Sequence, residues 1–193
     1  VEHGHRVWAH PFLNPSVGAS DYWRDVGTVD AYYQANMELL SENPPLVLGD
    51  PDWPLITYQA QAPPAQFSPE NKDAKIDNVM VSGGCRIGRC SISDSMLFSN
   101  SIVERNCKLE GCLVLPEAEV GDGSKLKNVI VDNGCKIPKN SRIGYDRQED
   151  SKKFYVSEGG VTVVTRMMLN QGPAWLMKAR YPGAAGKPPP GIA

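Results

Sequence analysis

A regular spacing of aliphatic residues between Ile76 and Ile143 constrains the fold of this 193-residue chain more than any other feature. Successive members of the series lie five or six positions apart: Ile76, Val81, Ile87, Ile92, Leu97, Val103, Leu109, Val114, Val120, Leu126, Val131, Ile137 and Ile143. An amphipathic helix repeats about every 3.6 residues and an alternating strand about every two, so neither explains the spacing. Short parallel strands joined by bends do explain it, and the pattern predicts a β-solenoid of the hexapeptide-repeat type.

A second series, of small or short side chains, lies two positions before the aliphatic one and suits the tight bends between strands. Its members are Ala74, Val79, Cys85, Cys90, Ser95, Ser101, Cys107, Cys112, Ala118, Ser124, Val129, Cys135 and Ser141. All five cysteines of the chain belong to this series. Stacked parallel coils keep Cβ atoms too far apart for an ordinary disulfide. We therefore expect reduced, buried thiols in a cytoplasmic protein.

Every third aliphatic residue should stack on the same wall of the solenoid, with about 4.8 Å between neighbouring coils. The expected stacks are Ile76, Ile92, Leu109, Leu126 and Ile143; Val81, Leu97, Val114 and Val131; and Ile87, Val103, Val120 and Ile137. Each coil then takes 16 or 17 residues. The alternative is a β-sandwich with chance spacing, which two matched series over the same stretch argue against.

The residues before the solenoid predict one strand and one helix. The order RVWAHPF, from Arg6 to Phe12, is typical of a short strand. Thr28 is a suitable helix N-cap, and Asp30 places a negative charge in the first turn, where the helix dipole favours it. We therefore expect a helix from Val29 to Leu40, within a first unit formed by residues 1–44.

Four further segments complete the predicted organisation. Residues 45–74 are interrupted by prolines and should form a linker, and residues 75–145 should form the solenoid. Residues 146–170 contain two β-rich runs around a glycine-containing turn, which predicts a capping loop and hairpin over the open end of the solenoid. Residues 171–193 are rich in proline and glycine and are expected to be poorly ordered.

Composition argues against several classes of partner. The formal net charge is −2 and the sequence pI is near 5.9, which argues against a nucleic-acid-binding surface. No apolar run of about 18 residues occurs, and the start of the chain lacks the features of a signal peptide, so no membrane partner is expected. Because that start also lacks an initiator methionine, we expect the chain to be truncated.

Histidine is absent from the repeats, and this limits the chemistry expected there. The only histidines are His3, His5 and His10. A hexapeptide acyltransferase would need a general base near a coil edge, so acyl transfer is the less favoured function. A histidine-ligated metal site fails for the same reason, and no C-x-x-C pair indicates zinc. The solenoid is then a scaffold for assembly or regulation, and a free-standing β-helix module without catalysis is one interpretation.

Several joined motifs point to a more specific interpretation. They are YWRDVGTVDAYYQAN from Tyr22, WPLITY from Trp53, VSGGC from Val81, LFS from Leu97, VLPE from Val114, and FY from Phe154 followed by VTR from Val164. In these motifs the chain resembles the bacterial ADP-glucose pyrophosphorylases (glucose-1-phosphate adenylyltransferases) from Trp8 to about Leu169. The resemblance implies a left-handed parallel β-helix preceded by the last strand and helix of an α/β, Rossmann-like nucleotidyltransferase domain.

The resemblance also implies a reaction and its partners. In that family, ATP and glucose 1-phosphate give ADP-glucose and pyrophosphate for bacterial glycogen synthesis, with Mg²⁺ as cofactor. A homotetramer and allosteric control by a phosphorylated-sugar or carboxylate effector are implied as well. The family's glycine-rich nucleotide-binding loop has no counterpart in this sequence. We therefore expect the parent polypeptide to be the enzyme and this chain alone to be inactive.

Two residues take functional roles from the resemblance. Asp25 matches an aspartate that helps to hold Mg²⁺, which implies a catalytic and metal-binding residue; a hard cation commonly takes one or two protein carboxylates. The alternative is that Asp25 accepts hydrogen bonds at the turn before the helix. Arg166 matches an effector-binding arginine, and a guanidinium suits bidentate capture of phosphate. The alternative for Arg166 is a solvated charge at the end of a strand.

The match at the effector site is incomplete. Two other positions at which some family members carry arginine are Asn133 and Asn170 in this chain. The effector is therefore expected to differ from fructose 1,6-bisphosphate, or to bind in another way.

Overall fold

The computed structural model describes residues 6–9, 22–51, 56–57, 61–68 and 74–172. Two helices are present in this part of the chain, α1 (Val29–Glu38) and α2 (Arg147–Ser151). The strands are β1 (Gln66–Phe67), β2 (Lys75–Val81), β3 (Arg86–Ile87), β4 (Ser91–Leu97), β5 (Ile102–Val103), β6 (Lys108–Glu110), β7 (Leu113–Val114), β8 (Glu119–Val120), β9 (Lys125–Lys127), β10 (Val129–Val131), β11 (Lys136–Ile137), β12 (Arg142–Ile143), β13 (Tyr155–Val156) and β14 (Thr162–Val164).

The strands form the three stacked parallel walls that the aliphatic spacing predicts. The first wall consists of the start of β2, the start of β4, β6, β9 and β12. The second consists of the end of β2, the end of β4, β7, β10 and β14. The third consists of β1, β3, β5, β8 and β11. The paired residues of neighbouring strands include each of the three predicted aliphatic stacks, so the register is confirmed.

The interior of the solenoid is the main hydrophobic core. Eleven of the thirteen aliphatic residues are buried, and all five cysteines are buried and free, as predicted. The exceptions lie at the first coil, where Val81 is half-buried and Ile76 is 39% exposed. The prediction that Ile76 is interior is therefore wrong. Ile76 lies on β2, which in the described part of the chain pairs only with β4 and is the outer strand of the first wall.

The bends depend on residues with a left-handed backbone conformation, and all of them except Gly144 lie directly before a member of the small-residue series. The three rows of corners are Asn78, Asp94, Gly111, Asn128 and Gly144; Gly84, Asn100, Glu117 and Gly134; and Asn106, Gly123 and Asn140. Glycine adopts positive φ without a Cβ penalty, and asparagine tolerates it better than most residues. The small residues therefore lie beside the bends, which are formed mostly by asparagines and glycines, with Asp94 and Glu117 at two corners.

The solenoid begins earlier than the sequence indicated. Gln66 and Phe67, within the predicted linker of residues 45–74, pair in parallel with Arg86 and Ile87. Phe67 and Ile87 are 20 positions apart, whereas Ile87 pairs with Val103 only 16 positions later. The longer connection interrupts the five-or-six spacing, and this hides the first strand of the third wall.

The flanking elements largely follow the predictions. Thr28 caps α1, which ends at Glu38, two residues before the predicted end at Leu40. β13 and β14 form the predicted antiparallel hairpin, and β14 also pairs with β10, so the hairpin extends the second wall. Residues 6–9 form no strand. The remainder of the predicted N-terminal strand, and the predicted tail after residue 172, lie outside the described residues.

Neither described helix has the length and apolar character required to cross a bilayer.

Candidate functional site

Helix α1 packs against the outside of the second wall and forms a second apolar cluster there. The wall contributes one outward-facing column: Met80, Met96, Leu113, Ile130 and Val163. The helix contributes Val29, Tyr32, Tyr33 and Met37. This contact was not predicted from the sequence. A signal was available, because a large apolar residue directly precedes each of Val81, Leu97, Val114 and Val131, where an exposed wall would carry polar residues.

Tyr33 attaches the middle of α1 to a corner of the solenoid. Its hydroxyl donates to the backbone oxygen of Gly111 over 2.8 Å and lies 3.4 Å from Asn128 Oδ1. A Cβ on Gly111 would lie 2.8 Å from the Tyr33 hydroxyl and 2.6 Å from Asn128 Oδ1. Glycine at this corner therefore leaves the space that the tyrosine hydroxyl occupies. Burial raises the pKa of Tyr33 from 10.0 to about 12, so the hydroxyl stays a hydrogen-bond donor well into the alkaline range.

Asp30 attaches the first turn of α1 to the hairpin formed by β13 and β14. The Ser157 hydroxyl donates to Asp30 Oδ1, and the Gly159 amide donates to Asp30 Oδ2 over 3.0 Å. Ser157 Oγ also accepts the Val161 amide over 2.9 Å. The sequence indicated only a favourable interaction of Asp30 with the helix dipole. The structure adds a contact between segments more than 120 residues apart.

Asp25 lies in the turn that leads into α1, and its side chain is exposed. Its Oδ1 accepts the Gly27 amide over 3.0 Å, and Thr28 Oγ1 accepts the Ala31 amide over 3.1 Å. Asp25 thus accepts a hydrogen bond at the turn before the helix, which is the alternative predicted from the sequence. Trp23, 74% exposed, and Val26, 49% exposed, present apolar surface on either side of Asp25.

The Asp25 carboxylate fits Mg²⁺ as one ligand of several. One of its oxygens accepts the Gly27 amide, and the other has no hydrogen-bond partner among the described residues. Mg²⁺ usually takes one or two carboxylates and completes its shell with water and substrate phosphates. No group of three or more His, Cys, Asp or Glu side chains within the described residues could hold a metal by itself. Asp25 would thus need ligands from outside this part of the chain.

Arg166 is buried, with 6% of its surface exposed. Its guanidinium donates to the backbone oxygens of Gly134, Gln171 and Gly172, the last two over 2.7 and 2.9 Å. The sequence predicted an effector ligand or, alternatively, a solvated charge; in the structure the side chain is instead enclosed by carbonyl groups. Three of the five guanidinium N–H groups bind these carbonyls, and the role of Arg166 as an effector ligand stays a prediction.

The three positions that the resemblance connects with effectors come together in this structure. Arg166 binds the carbonyl of Gly134, the residue after Asn133, and Asn170 lies in the turn that follows Arg166. Gln171 attaches this region to β11. Its side-chain Oε1 accepts the Lys136 amide over 2.9 Å, and its Nε2 donates to the Lys136 carbonyl. The amide of Gln171 thereby occupies the hydrogen-bonding edge of β11, the last strand of the third wall. No described contact joins this region to Asp25.

Comparison with known proteins agrees with the fold and with the motifs. Residues 63–164, more than half of the chain, match the family model described as GlmU-like, C-terminal hexapeptide. This match is consistent with the left-handed parallel β-helix expected from the sequence.

Curated relatives carry the name that the motifs suggested. A glucose-1-phosphate adenylyltransferase of Nitrosococcus oceani is 45% identical over 170 residues, which is 86% of this chain and 40% of the relative. Proteins of the same name from Dechloromonas aromatica and Francisella tularensis subsp. novicida are each 43% identical, over 88% and 84% of this chain and 40% of their own length. The chain thus spans about 40% of the length of these relatives. By its fold and by the match over residues 63–164, the chain belongs to the GlmU-like C-terminal hexapeptide family.

Proposed function

We propose that this chain is the C-terminal part of a glucose-1-phosphate adenylyltransferase, which forms ADP-glucose and pyrophosphate from ATP and glucose 1-phosphate. The observation that carries the proposal is the extent of the similarity. Residues 63–193 make up about two thirds of the chain, whereas the Dechloromonas aromatica relative matches 88% of it. The similarity therefore reaches the residues before the solenoid, where α1 and Asp25 lie.

In this proposal the solenoid is a rigid support for the last helix of the catalytic domain. The outward column of the second wall, from Met80 to Val163, provides an apolar surface for α1, while Tyr33 and Asp30 fix the helix at two points. Asp25 enters the reaction as a catalytic residue and Mg²⁺ ligand, held by the turn that ends at Thr28. When bound, Mg²⁺ neutralises charge on the phosphate groups that react. The chain alone supplies no nucleotide-binding loop and is expected to be inactive.

Regulation, assembly and location follow from the resemblance as further parts of the proposal. A phosphorylated-sugar or carboxylate effector would bind near Arg166, Asn133 and Asn170 and would displace carbonyl groups from the Arg166 guanidinium. The complete enzyme would be a cytoplasmic homotetramer. The buried free thiols support a reducing compartment.

The proposal is tested with the polypeptide translated from the complete reading frame that contains this chain. We expect it to form ADP-glucose from ATP and glucose 1-phosphate with Mg²⁺. Asp25→Asn should lower kcat by at least about 100-fold, because the charge of one metal ligand is lost. Asp122→Asn, an acidic-to-amide change on the third-wall side of the solenoid, is the matched control and should leave kcat within about twofold.

Two results would reject the proposal. One is a start codon directly before Val1, which would instead favour a free-standing β-helix module. The other is a folded complete polypeptide that forms no ADP-glucose.

A further inference from the structure

We propose that Asp30 is a positioning residue for Asp25: by binding Ser157 and Gly159 it lets the terminal hairpin of the solenoid set the place of the Asp25 carboxylate. This inference rests on the proposed function, because it assigns Asp25 to the reaction. It concerns a contact between the solenoid and the segment before it, and it gives the β13–β14 hairpin a role beyond closing the second wall.

A continuous series of short contacts joins Asp25 to the hairpin. The Gly27 amide donates to Asp25 Oδ1 over 3.0 Å, and Thr28, the next residue, caps α1 through the Ala31 amide over 3.1 Å. Asp30 lies in the same first turn. Its two carboxylate oxygens accept from the hairpin. A displacement of Asp30 therefore moves the N-cap and, with it, the Asp25 turn.

The hairpin is well suited to receive a carboxylate at this place. Ser157 is buried, with 2% of its surface exposed, and its hydroxyl is held by the Val161 amide while it donates to Asp30. Gly159 lies so close that an added Cβ would be 2.7 Å from Asp30 Oδ1. The lack of a side chain at Gly159 thus allows the backbone amide to reach the carboxylate.

Besides its apolar packing on the second wall, α1 has two hydrogen-bonded attachments to the solenoid. The Tyr33 hydroxyl holds the helix at the Gly111 corner, one turn after Asp30. Without the Asp30 contact, the first turn would be held by apolar packing, which is non-directional and would let the turn shift. The Asp30 contact prevents that motion at the end of the helix that faces Asp25.

A role restricted to the helix dipole does not require these contacts. Glu149 offers the comparison, since it lies in the first turn of α2, is exposed, and its carboxylate pairs, among the described residues, only with Lys152, the C-cap of α2. Asp30 instead binds two groups of a distant hairpin. Glu149→Ala is therefore a matched control that removes an acidic side chain from a first helical turn without touching α1.

The test combines amide hydrogen exchange on this chain with kinetics of the complete polypeptide. Asp30→Ala should raise the exchange rates of the Ala31 and Tyr32 amides by about tenfold, whereas Glu149→Ala leaves them unchanged. In the complete enzyme, Asp30→Ala should raise the half-saturating Mg²⁺ concentration by about tenfold. The KM for glucose 1-phosphate should stay within about twofold, because both carboxylate oxygens of Asp30 are taken by the hairpin.

Gly159→Ala tests the same contact from the side of the hairpin. It should reproduce both effects, because the added methyl group displaces the Asp30 carboxylate. In the Asp30→Ala background it should have no further effect, since contacting residues are not additive. Should Asp30→Ala fail to fold, Gly159→Ala and Ser157→Ala carry the test.

Each outcome decides between the two proposals. Faster exchange with an unchanged Mg²⁺ requirement would show a structural contact only and would overturn the positioning role. Unchanged exchange would overturn the contact itself. An inactive wild-type complete polypeptide would reject the proposed function, and the positioning role with it, whatever the exchange rates show.

Discussion

Single residues at the corners determine whether the chain can turn from one wall to the next. Gly144 has a φ of +85°, and an added Cβ would lie 1.7 Å from the Lys127 carbonyl oxygen of the preceding coil. Glycine is required here for two reasons, the left-handed backbone and the close approach of neighbouring coils. The asparagines at other corners share the left-handed backbone but not the close approach of a neighbouring coil.

Gly144→Ala should lower the free energy of unfolding by about 3 kcal/mol or more, because it adds both backbone strain and a steric clash. Gly49→Ala is the control: no atom lies within 4 Å of its added Cβ and its φ is not positive, so it should change stability by less than about 0.5 kcal/mol. Urea unfolding of both variants measures the difference. Equal stabilities would contradict the close stacking of the coils.

At the scale of elements, the turn after β14 depends on one buried side chain. Arg166 donates to three carbonyl oxygens, and the turn that it encloses is completed by the Gln171 amide donating to the Arg166 carbonyl over 2.9 Å. A buried guanidinium with these partners stabilises the turn directly, whether or not an effector also uses it.

Arg166→Gln should therefore lower the free energy of unfolding by about 3 kcal/mol and speed amide exchange at Leu169, Asn170 and Gln171. Lys152→Gln, which removes an exposed cation, should cost less than about 0.5 kcal/mol. If Arg166→Gln were as stable as the wild type and lost only its response to an effector, the structural role would be refuted and the effector role supported.

At the scale of the whole molecule, the buried thiols link stability to pH. Burial raises the pKa of Cys90 and Cys112 to about 12 and that of Cys107 and Cys135 to about 11, from an ordinary value of 9.0. A group with a raised folded pKa contributes its full stability below the unfolded value. That contribution is lost as the pH rises through the folded value.

The free energy of unfolding should accordingly be independent of these thiols below about pH 9 and fall steadily between about pH 9 and pH 12. Urea titrations across this range measure the slope, which should become smaller in Cys135→Ala. A thiol reagent at about pH 8 should react with the folded chain very slowly and with all five cysteines of the unfolded chain. Fast reaction of the folded chain, or constant stability up to pH 11, would show that the thiols are not buried in the interior of the solenoid.

The aliphatic spacing predicted the walls and their register because each segment of five or six residues repeats the same local requirement: one inward side chain and one bend. It could not reveal β1, since the long connection after Phe67 breaks the repeat. The packing of α1 was visible in part, through the apolar column that begins at Met80.

Contacts between distant segments were not visible in the sequence. Asp30 accepts a hydrogen bond from Ser157 only because the helix and the hairpin lie on the same wall. The surroundings of Arg166 depend in the same way on the path of the chain after β14. No local pattern records either arrangement.

The packing of α1 and both proposals depend on the three stacked walls. Distances between spin labels on successive coils test this claim most directly. Four exposed residues lie along the first wall: Lys75, Lys108, Lys125 and Arg142. Lys108 is two coils from Lys75, Lys125 is three and Arg142 is four. Spin labels can be placed there selectively because the native cysteines are buried. Stacked coils predict that the distance from Lys75 grows by about 4.8 Å from Lys108 to Lys125 and again to Arg142. Distances that fail to increase in equal steps would show that the coils are not stacked.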